Sequence, residues 1–180
     1  AENFLTKYYE NTIVGYSFSK SLSLPGERIG YVVVPNEVAD ADTVIAGINV
    51  SNRTLGFVNA PSLIQLAVAE CLEEKTDVAY YDKNRTRLYE ALTGYGYTCI
   101  KPEGAFYVMM NMKGFLGKTM YGKVIESAED FAQLFLEKGL VATVPCTAFA
   151  APGFVRWSYA TSLTEIDKGL DRLEAFIKNA

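Results

Sequence analysis

The chain has 180 residues, 49% of them hydrophobic and 21% charged, enough for a buried core and incompatible with intrinsic disorder. A net charge of −4 and a pI near 5.0 argue against a partner held through its phosphate backbone, so no nucleic acid is expected. The absence of histidine rules out, within this chain, a Ser-His-Asp triad, a Cys-His dyad and any histidine metal site.

Cys71, Cys99 and Cys146 form no C-x-x-C pair. Reduced, partly buried thiols of a cytoplasmic protein are expected rather than a zinc or redox motif, and no metal site is expected. No run of about 18 apolar residues occurs, so no membrane association is expected. The opening Ala1-Glu2-Asn3-Phe4 has neither an initiator Met nor a secretory apolar region, so a processed, tagged or truncated start is expected.

Thr12 to Ser17 reads as a short strand leading into a serine-rich loop with Pro25-Gly26 turn chemistry. Arg28 to Pro35 reads as a second strand. Its unbroken run Tyr31-Val32-Val33-Val34 predicts burial on both faces. Such strands need neighbours that residues 1–35 do not supply, a first sign of a piece of something larger. Glu37 to Ile48 is predicted helical and Ser51 to Ala60 a loop. A helix follows from Pro61 to about Glu74, with Pro61 in its first turn.

Asp77 to Tyr95 predicts a long amphipathic helix, with Val78, Tyr81, Leu88, Leu92 and Tyr95 on one side, Lys83, Asn84, Arg85 and Arg87 on the other, and Gly94 and Gly96 to stop it. Tyr97 to Ile100 and Ala105 to Met110 are predicted strands. Ser127-Ala128-Glu129-Asp130 opens a helix that Gly139 ends, and Ser162-Leu163-Thr164-Glu165 is a capping box. Between them Leu140 to Val144 and Phe154 to Tyr159 are predicted strands. The final helix carries the seam Leu163, Ile166, Leu170, Leu173, Ile177, expected to dock on a sheet.

The chemistry lies in Ser17 to Tyr31, SFSKSLSLPGERIGY. Lys20 follows a strand, is surrounded by hydroxyls, and has no acidic neighbour for six residues. Eight residues later Arg28 begins the return strand, so a turn can bring both to one edge. A lysine amine attacks aldehydes once deprotonated, and nearby positive charge lowers its pKa. An arginine fork with serine hydroxyls clamps phosphate. Together they describe a site for a ligand with an aldehyde and a phosphate, and pyridoxal 5′-phosphate is such a ligand.

This stretch resembles the lysine signature of the fold-type I, class I/II pyridoxal-phosphate aminotransferases, the aspartate aminotransferase-like enzymes: S-x-S-K-[ST]-[LY]-x-[LM]-[PA]-G-x-R-[IL]-G-[YW]. The resemblance implies that Lys20 is the catalytic residue and forms the Schiff base with pyridoxal phosphate. It also implies that Ser17 and Arg28 bind the cofactor phosphate. The likeness extends through Asn59-Ala60-Pro61-Ser62 with Gln65, through Lys101 to Tyr107 (KPEGAFY) and through Val144 to Phe149 (VPCTAF), where Cys146 replaces the usual glycine. It ends in Phe154 to Ala160 (FVRWSYA). In the family the arginine of that last motif pairs with the substrate α-carboxylate, which carries over to Arg156. Asn59 is also readable as a helix cap.

The family's partner for the pyridine nitrogen, its glycine-rich phosphate turn and its ring-stacking aromatic lie upstream of the lysine. Neither Glu2 nor Glu10 stands in its D-x-x-Y context. Residues 1–180 thus resemble the C-terminal portion of such an enzyme, an α/β fold with an α+β small domain. Residues 1–48 would end the large cofactor domain, 49–75 form the interdomain segment and 76–180 the small domain. The implied function is transfer of an amino group between an L-amino acid and a 2-oxo acid by a homodimer, with this chain alone expected to be inactive. A lyase or decarboxylase on the same scaffold, or the aminotransferase-like sensor half of a transcription regulator, would share the same residues. The motifs leave the substrate side chain open.

Overall fold

The computed structural model describes residues 5–180; Ala1 to Phe4, Glu2 among them, lie outside the described residues. The chain divides between Thr76 and Asp77 into two compact units.

In the first unit β1 (Val14–Ser17) and β2 (Gly30–Val33) pair antiparallel, with Val14 opposite Val33 and Ser17 opposite Gly30. Between them α1 (Phe18–Ser21) is one turn of helix where a loop was predicted, and Ser17 caps it by accepting the Ser19 N–H. A serine-rich run favours such side-chain-to-backbone bonds, and here they nucleate a single turn. The expected two-sided burial of β2 is not found. Tyr31, Val32 and Val33 are exposed, and among the described residues β2 bonds only to β1.

The next helix also differs from expectation. It is α2 (Ala41–Thr54) rather than 37–48, and Ser51 to Thr54, predicted as loop, are its last turn. Ser51 and Thr54 bond back to the Gly47 and Val50 carbonyls at 2.8 and 2.9 Å. Their hydroxyls are thereby satisfied inside the helix instead of breaking it. Gly56 ends it in the left-handed region at φ +83°. α3 (Ser62–Glu70), capped by Pro61, buries Val68 against Phe18 and Ile29, with Leu22, Leu24, Ala60 and Ile64 around them. That small cluster is the core of the unit.

The second unit starts at α4 (Val78–Gly94), where the Asp77 side chain accepts the Tyr80 N–H at 2.9 Å. Its sheet has four antiparallel strands in the order β3 (Cys99–Ile100), β4 (Tyr107–Asn111), β8 (Phe154–Ser158), β7 (Val144–Pro145). A further hairpin, β5 (Thr119–Met120) with β6 (Lys123–Val124), was not predicted. It turns on Tyr121 and Gly122, both at positive φ, and strands of two residues are too short to show alternation. The strand expected over 140–144 is reduced to Val144–Pro145.

α5 (Ala128–Leu134) is capped by Ser127, which accepts the Asp130 N–H at 3.1 Å, and it runs into a π turn, Phe135–Gly139. Gly139 is not the left-handed residue there. Leu140 is, at φ +55°; Gly139 is required because a Cβ would run into the Phe135 ring. The last helix, α6 (Leu163–Lys178), buries Ile166, Leu170, Leu173 and Phe176.

The core sits on one face of the sheet. Val108 and Met110 of β4 and Val155 and Trp157 of β8 point inward, against Leu88 and Leu92 of α4 and the buried stripe of α6. Phe135 links the helices to the sheet, its ring centroid lying 5.0 Å from Phe176 and 5.6 Å from Trp157. Strand residues alternate sides, so Tyr107, Met109 and Arg156 share the other face. Among the described residues no helix is long and apolar enough to cross a membrane, and no cluster of three or more His, Cys, Asp or Glu could hold a metal.

The Lys123 ammonium, 2.8 Å from Asp130, is the main reason the Asp130 carboxyl is held down at about 2, with the Ser127 hydroxyl and Glu126 N–H adding to it. A carboxyl whose folded value lies below its ordinary 3.8 stabilises the fold above that value, and the contribution disappears as pH falls toward about 2. Asp130→Asn is therefore expected to lower the thermal midpoint at neutral pH. Its melting curve should merge with that of the parent between pH 4 and 2; a difference that persists in acid would contradict this account.

Candidate active site

Ser17, Lys20 and Arg28 all stand on the connection between β1 and β2. Its base is closed twice, by the Ser17–Gly30 register and by the Phe18 N–H donating to the Ile29 carbonyl at 3.2 Å. Phe18 and Ile29, the residues next to Ser17 and Arg28, are buried, while Ser17, Lys20 and Arg28 are exposed. The fold thus pins the frame and turns the polar side chains outward. Thr76 adds a second tie, its hydroxyl donating to the Ser21 carbonyl at 2.9 Å.

Gly30 explains why the frame closes so tightly. A Cβ there would collide with the Tyr16 carbonyl oxygen, a backbone atom that cannot swing away. Arg28 takes the left-handed conformation at φ +53°, and its Nη1 donates to the Pro25 carbonyl at 2.8 Å. That bond orients the guanidinium while no carboxylate pairs with it among the described residues. The Ser17 hydroxyl donates to Ser19 Oγ at 2.9 Å. From Asn11 to Gly26 there is no acidic residue.

Arg156 belongs to the second unit. On β8 it lies opposite Met109 of β4 and Val144 of β7, and Met109 lies opposite Ile100 of β3. The row Ile100, Met109, Arg156, Val144 therefore crosses the sheet on its outer face, with arginine as its one charge. A cavity of about 500 Å³ opens over this row, lined by Ile100, Tyr107, Met109, Cys146, Phe149 and Arg156 and rimmed by the 101–105 loop.

Arg156 Nε is buried with no acceptor, and the guanidinium has no ion pair or hydrogen bond among the described residues. A buried donor without a partner costs about 1–3 kcal/mol, so the placement of Arg156 comes at the expense of stability. Burial pushes the Cys146 thiol up, and the Arg156 charge partly opposes that. Cys146 thus stays a protonated, apolar wall of the cavity.

The strand end after Arg156 is fastened by Asn84, which is expected on the polar side of α4 and instead faces the core. Asn84 of α4, fully buried, donates to the Tyr159 and Thr161 carbonyls at 3.2 and 2.7 Å. The Tyr159 hydroxyl donates to the Ala105 carbonyl at 3.1 Å, tying the rim of the cavity to β8. A polar residue at a core-facing helical position was the available signal. Tyr107 and Phe149, whose rings lie beside Arg156, were visible only as aromatic positions of two motifs.

The model of the family described as aminotransferase class I and II matches residues 3–173. The chain belongs to that family. The chain is 36% identical over 164 residues to a probable aspartate/prephenate aminotransferase of Rickettsia felis, covering 87% of this chain and 38% of the relative. To an aspartate aminotransferase of Streptomyces avermitilis it is 34% identical over 176 residues, covering 95% and 42%. Among solved structures, an aminotransferase from Eubacterium rectale superposes with a TM-score of 0.73 at 41% identity, over 97% of this chain and 41% of that one. An aspartate aminotransferase from Rhizobium meliloti does so with a TM-score of 0.76 at 31% identity, over 93% and 42%. The chain thus spans about two fifths of the length of these relatives.

Members of the family use pyridoxal 5′-phosphate. The donor set of the β1–β2 connection fits that group. It offers an amine for an aldehyde, with a guanidinium and serine hydroxyls for a dianion, and among the described residues no carboxylate pairs with that guanidinium.

Gly30→Ala tests the frame. Forcing a Cβ against a backbone carbonyl costs about 1–3 kcal/mol, so the variant is expected to unfold at lower urea and to bind pyridoxal phosphate more weakly. The reference is Gly26→Ala, in open space four residues away. Equal behaviour of the two variants would show that the closed frame is not what aligns Ser17 and Arg28.

Proposed function

We propose that this chain provides the Schiff-base lysine, a phosphate clamp and the carboxylate-binding arginine of an aminotransferase that moves an amino group from an L-amino acid to a 2-oxo acid. The observation that carries the reading is the closed β1–β2 connection, which carries Lys20, Ser17 and Arg28 on one frame, with no acidic residue from Asn11 to Gly26.

In this reading Lys20, Ser17 and Arg28 hold pyridoxal phosphate, Lys20 by its aldehyde and the other two by its phosphate. The bound group supplies the electron sink that makes the α-proton of an amino acid removable. Arg156 receives the α-carboxylate through paired charge-assisted bonds and so fixes which bond of the α-carbon faces the base. Lys20 Nζ, once released and deprotonated, would take the α-proton and carry it away from the α-carbon to the bound cofactor, as general base and then general acid. Cys146, Met109 and Ile100 make the carboxylate pocket apolar, which strengthens the Arg156 interaction by excluding water.

Residues 1–48 are read as the end of the cofactor domain, 49–75 as the interdomain segment and 76–180 as the small domain. A homodimer in the cytoplasm completes the reading; three cysteines without a disulfide fit a reducing compartment.

Reductive trapping tests it. The chain is incubated with pyridoxal phosphate, treated with borohydride and mapped by mass spectrometry. The label is expected on the peptide carrying Lys20 and lost in Lys20→Ala. Arg28→Ala should raise the cofactor concentration needed by about tenfold or more, the value of one charge-assisted contact. Label spread evenly over the surface lysines, unchanged by either substitution, would remove Lys20 and Arg28 from these roles.

A further inference from the structure

Arginines that bind ligands are commonly held in place by a carboxylate. Arg156 is not: no Asp or Glu among the described residues pairs with it, and no hydrogen bond orients its side chain. Two aromatic rings stand where such a partner would. Arg156 Cζ lies over the Tyr107 ring at 4.0 Å from its centroid and over the Phe149 ring at 4.4 Å. Both distances are well inside the range of about 6 Å in which a ring face attracts a cation.

We propose that Tyr107 and Phe149 are positioning residues that hold the Arg156 guanidinium by cation–π contact, so that its N–H groups stay available to the substrate carboxylate. The inference rests on the reading of Arg156 as the α-carboxylate site.

Three features of the fold support it. Tyr107 and Arg156 lie on neighbouring strands and on the same face of the sheet, Tyr107 paired with Ser158 and Arg156 with Met109, so the register alone brings the ring to the cation. Phe149 comes from the other side of β8, from the short helical turn that follows β7. It is 55% exposed, so its ring is not a core element whose place is set by burial. Ring faces also accept no in-plane hydrogen bond from an N–H edge. They fix the cation without competing for the donors that a carboxylate needs, whereas an internal Asp or Glu would have to be displaced by every substrate.

The test uses the full chain and L-aspartate as probe, with two readouts. The first is the proton resonance of Arg156 Nε–H, which the ring faces should shift upfield. Tyr107→Leu is expected to move it downfield, and Tyr107→Phe to leave it in place because the ring remains. The second is the dissociation constant for L-aspartate. Tyr107→Leu and Phe149→Leu are each expected to raise it about two- to fivefold, while Tyr107→Phe keeps the parent value. In an Arg156→Ala background the two leucine substitutions should have no further effect.

If Arg156→Ala weakens binding while Tyr107→Leu and Phe149→Leu do not, the clamp is wrong and the Arg156 assignment stands. A loss in Tyr107→Phe as large as in Tyr107→Leu would point to the hydroxyl and overturn the clamp as well. If Arg156→Ala binds like the parent, the carboxylate reading itself fails; the resonance position then still reports whether the rings hold the guanidinium.

Discussion

A strand cannot bury two consecutive residues on the same side, and the arrangement around Arg156 follows from that. Val155 and Trp157 are both fixed in the core by α6 and Phe135. The residue between them must face away from the core, and the strand order then surrounds it with Met109 on one side and Val144 on the other. The charge is held on an apolar sheet face not by any acid but because moving it would pull Trp157 out of the interior. Loss of packing at Trp157 would therefore disturb the site without touching it.

The first unit solves the same problem with less material. Its core is three buried side chains, Phe18, Ile29 and Val68, with a few neighbours, and two of the three are adjacent to the proposed phosphate-binding positions. Phe18 follows Ser17, and Ile29 follows Arg28. Burying them fixes both ends of the connection, and the close approach at Gly30 removes the remaining slack. A frame this small has no redundancy, so single substitutions at Phe18, Ile29 or Gly30 act on the exposed polar groups directly.

Much of this was legible in the sequence, for different reasons in different places. The helices α4 and α6 announced themselves because long amphipathic periods and capping residues such as Asp77 and Ser162 agree. The polar constellation Ser17, Lys20, Arg28 was legible because its spacing is a motif, and Arg156 because its strand matches another. What was hidden has several physical causes, some local and some far along the chain. Hydroxyls that bond back into α2 made its last turn look like loop. The apolar run of β2 suggested two covering layers that no described residue supplies. The β5–β6 hairpin was too short to carry a period. The roles of Asn84 and of the Tyr107 and Phe149 rings rest on contacts 49 or more positions apart in one case and 7 in the other, taking Tyr107 to Arg156 and Phe149 to Arg156, and only the register reveals the longer one.

An unpaired arginine beside an apolar cavity is a standing cost, and its retention is informative. The buried Nε forgoes a hydrogen bond, and neighbouring Met109, Ile100 and Cys146 offer none. A carboxylate at any of these positions would satisfy the guanidinium and stabilise the empty protein, but it would also occupy the donors and neutralise the charge that selects an anionic ligand. Aromatic faces recover part of the lost solvation while leaving the sign of the charge intact. On the proposed reading the missing acceptor would arrive with the ligand's carboxylate, and affinity would be drawn from a deficit that the fold maintains in its absence.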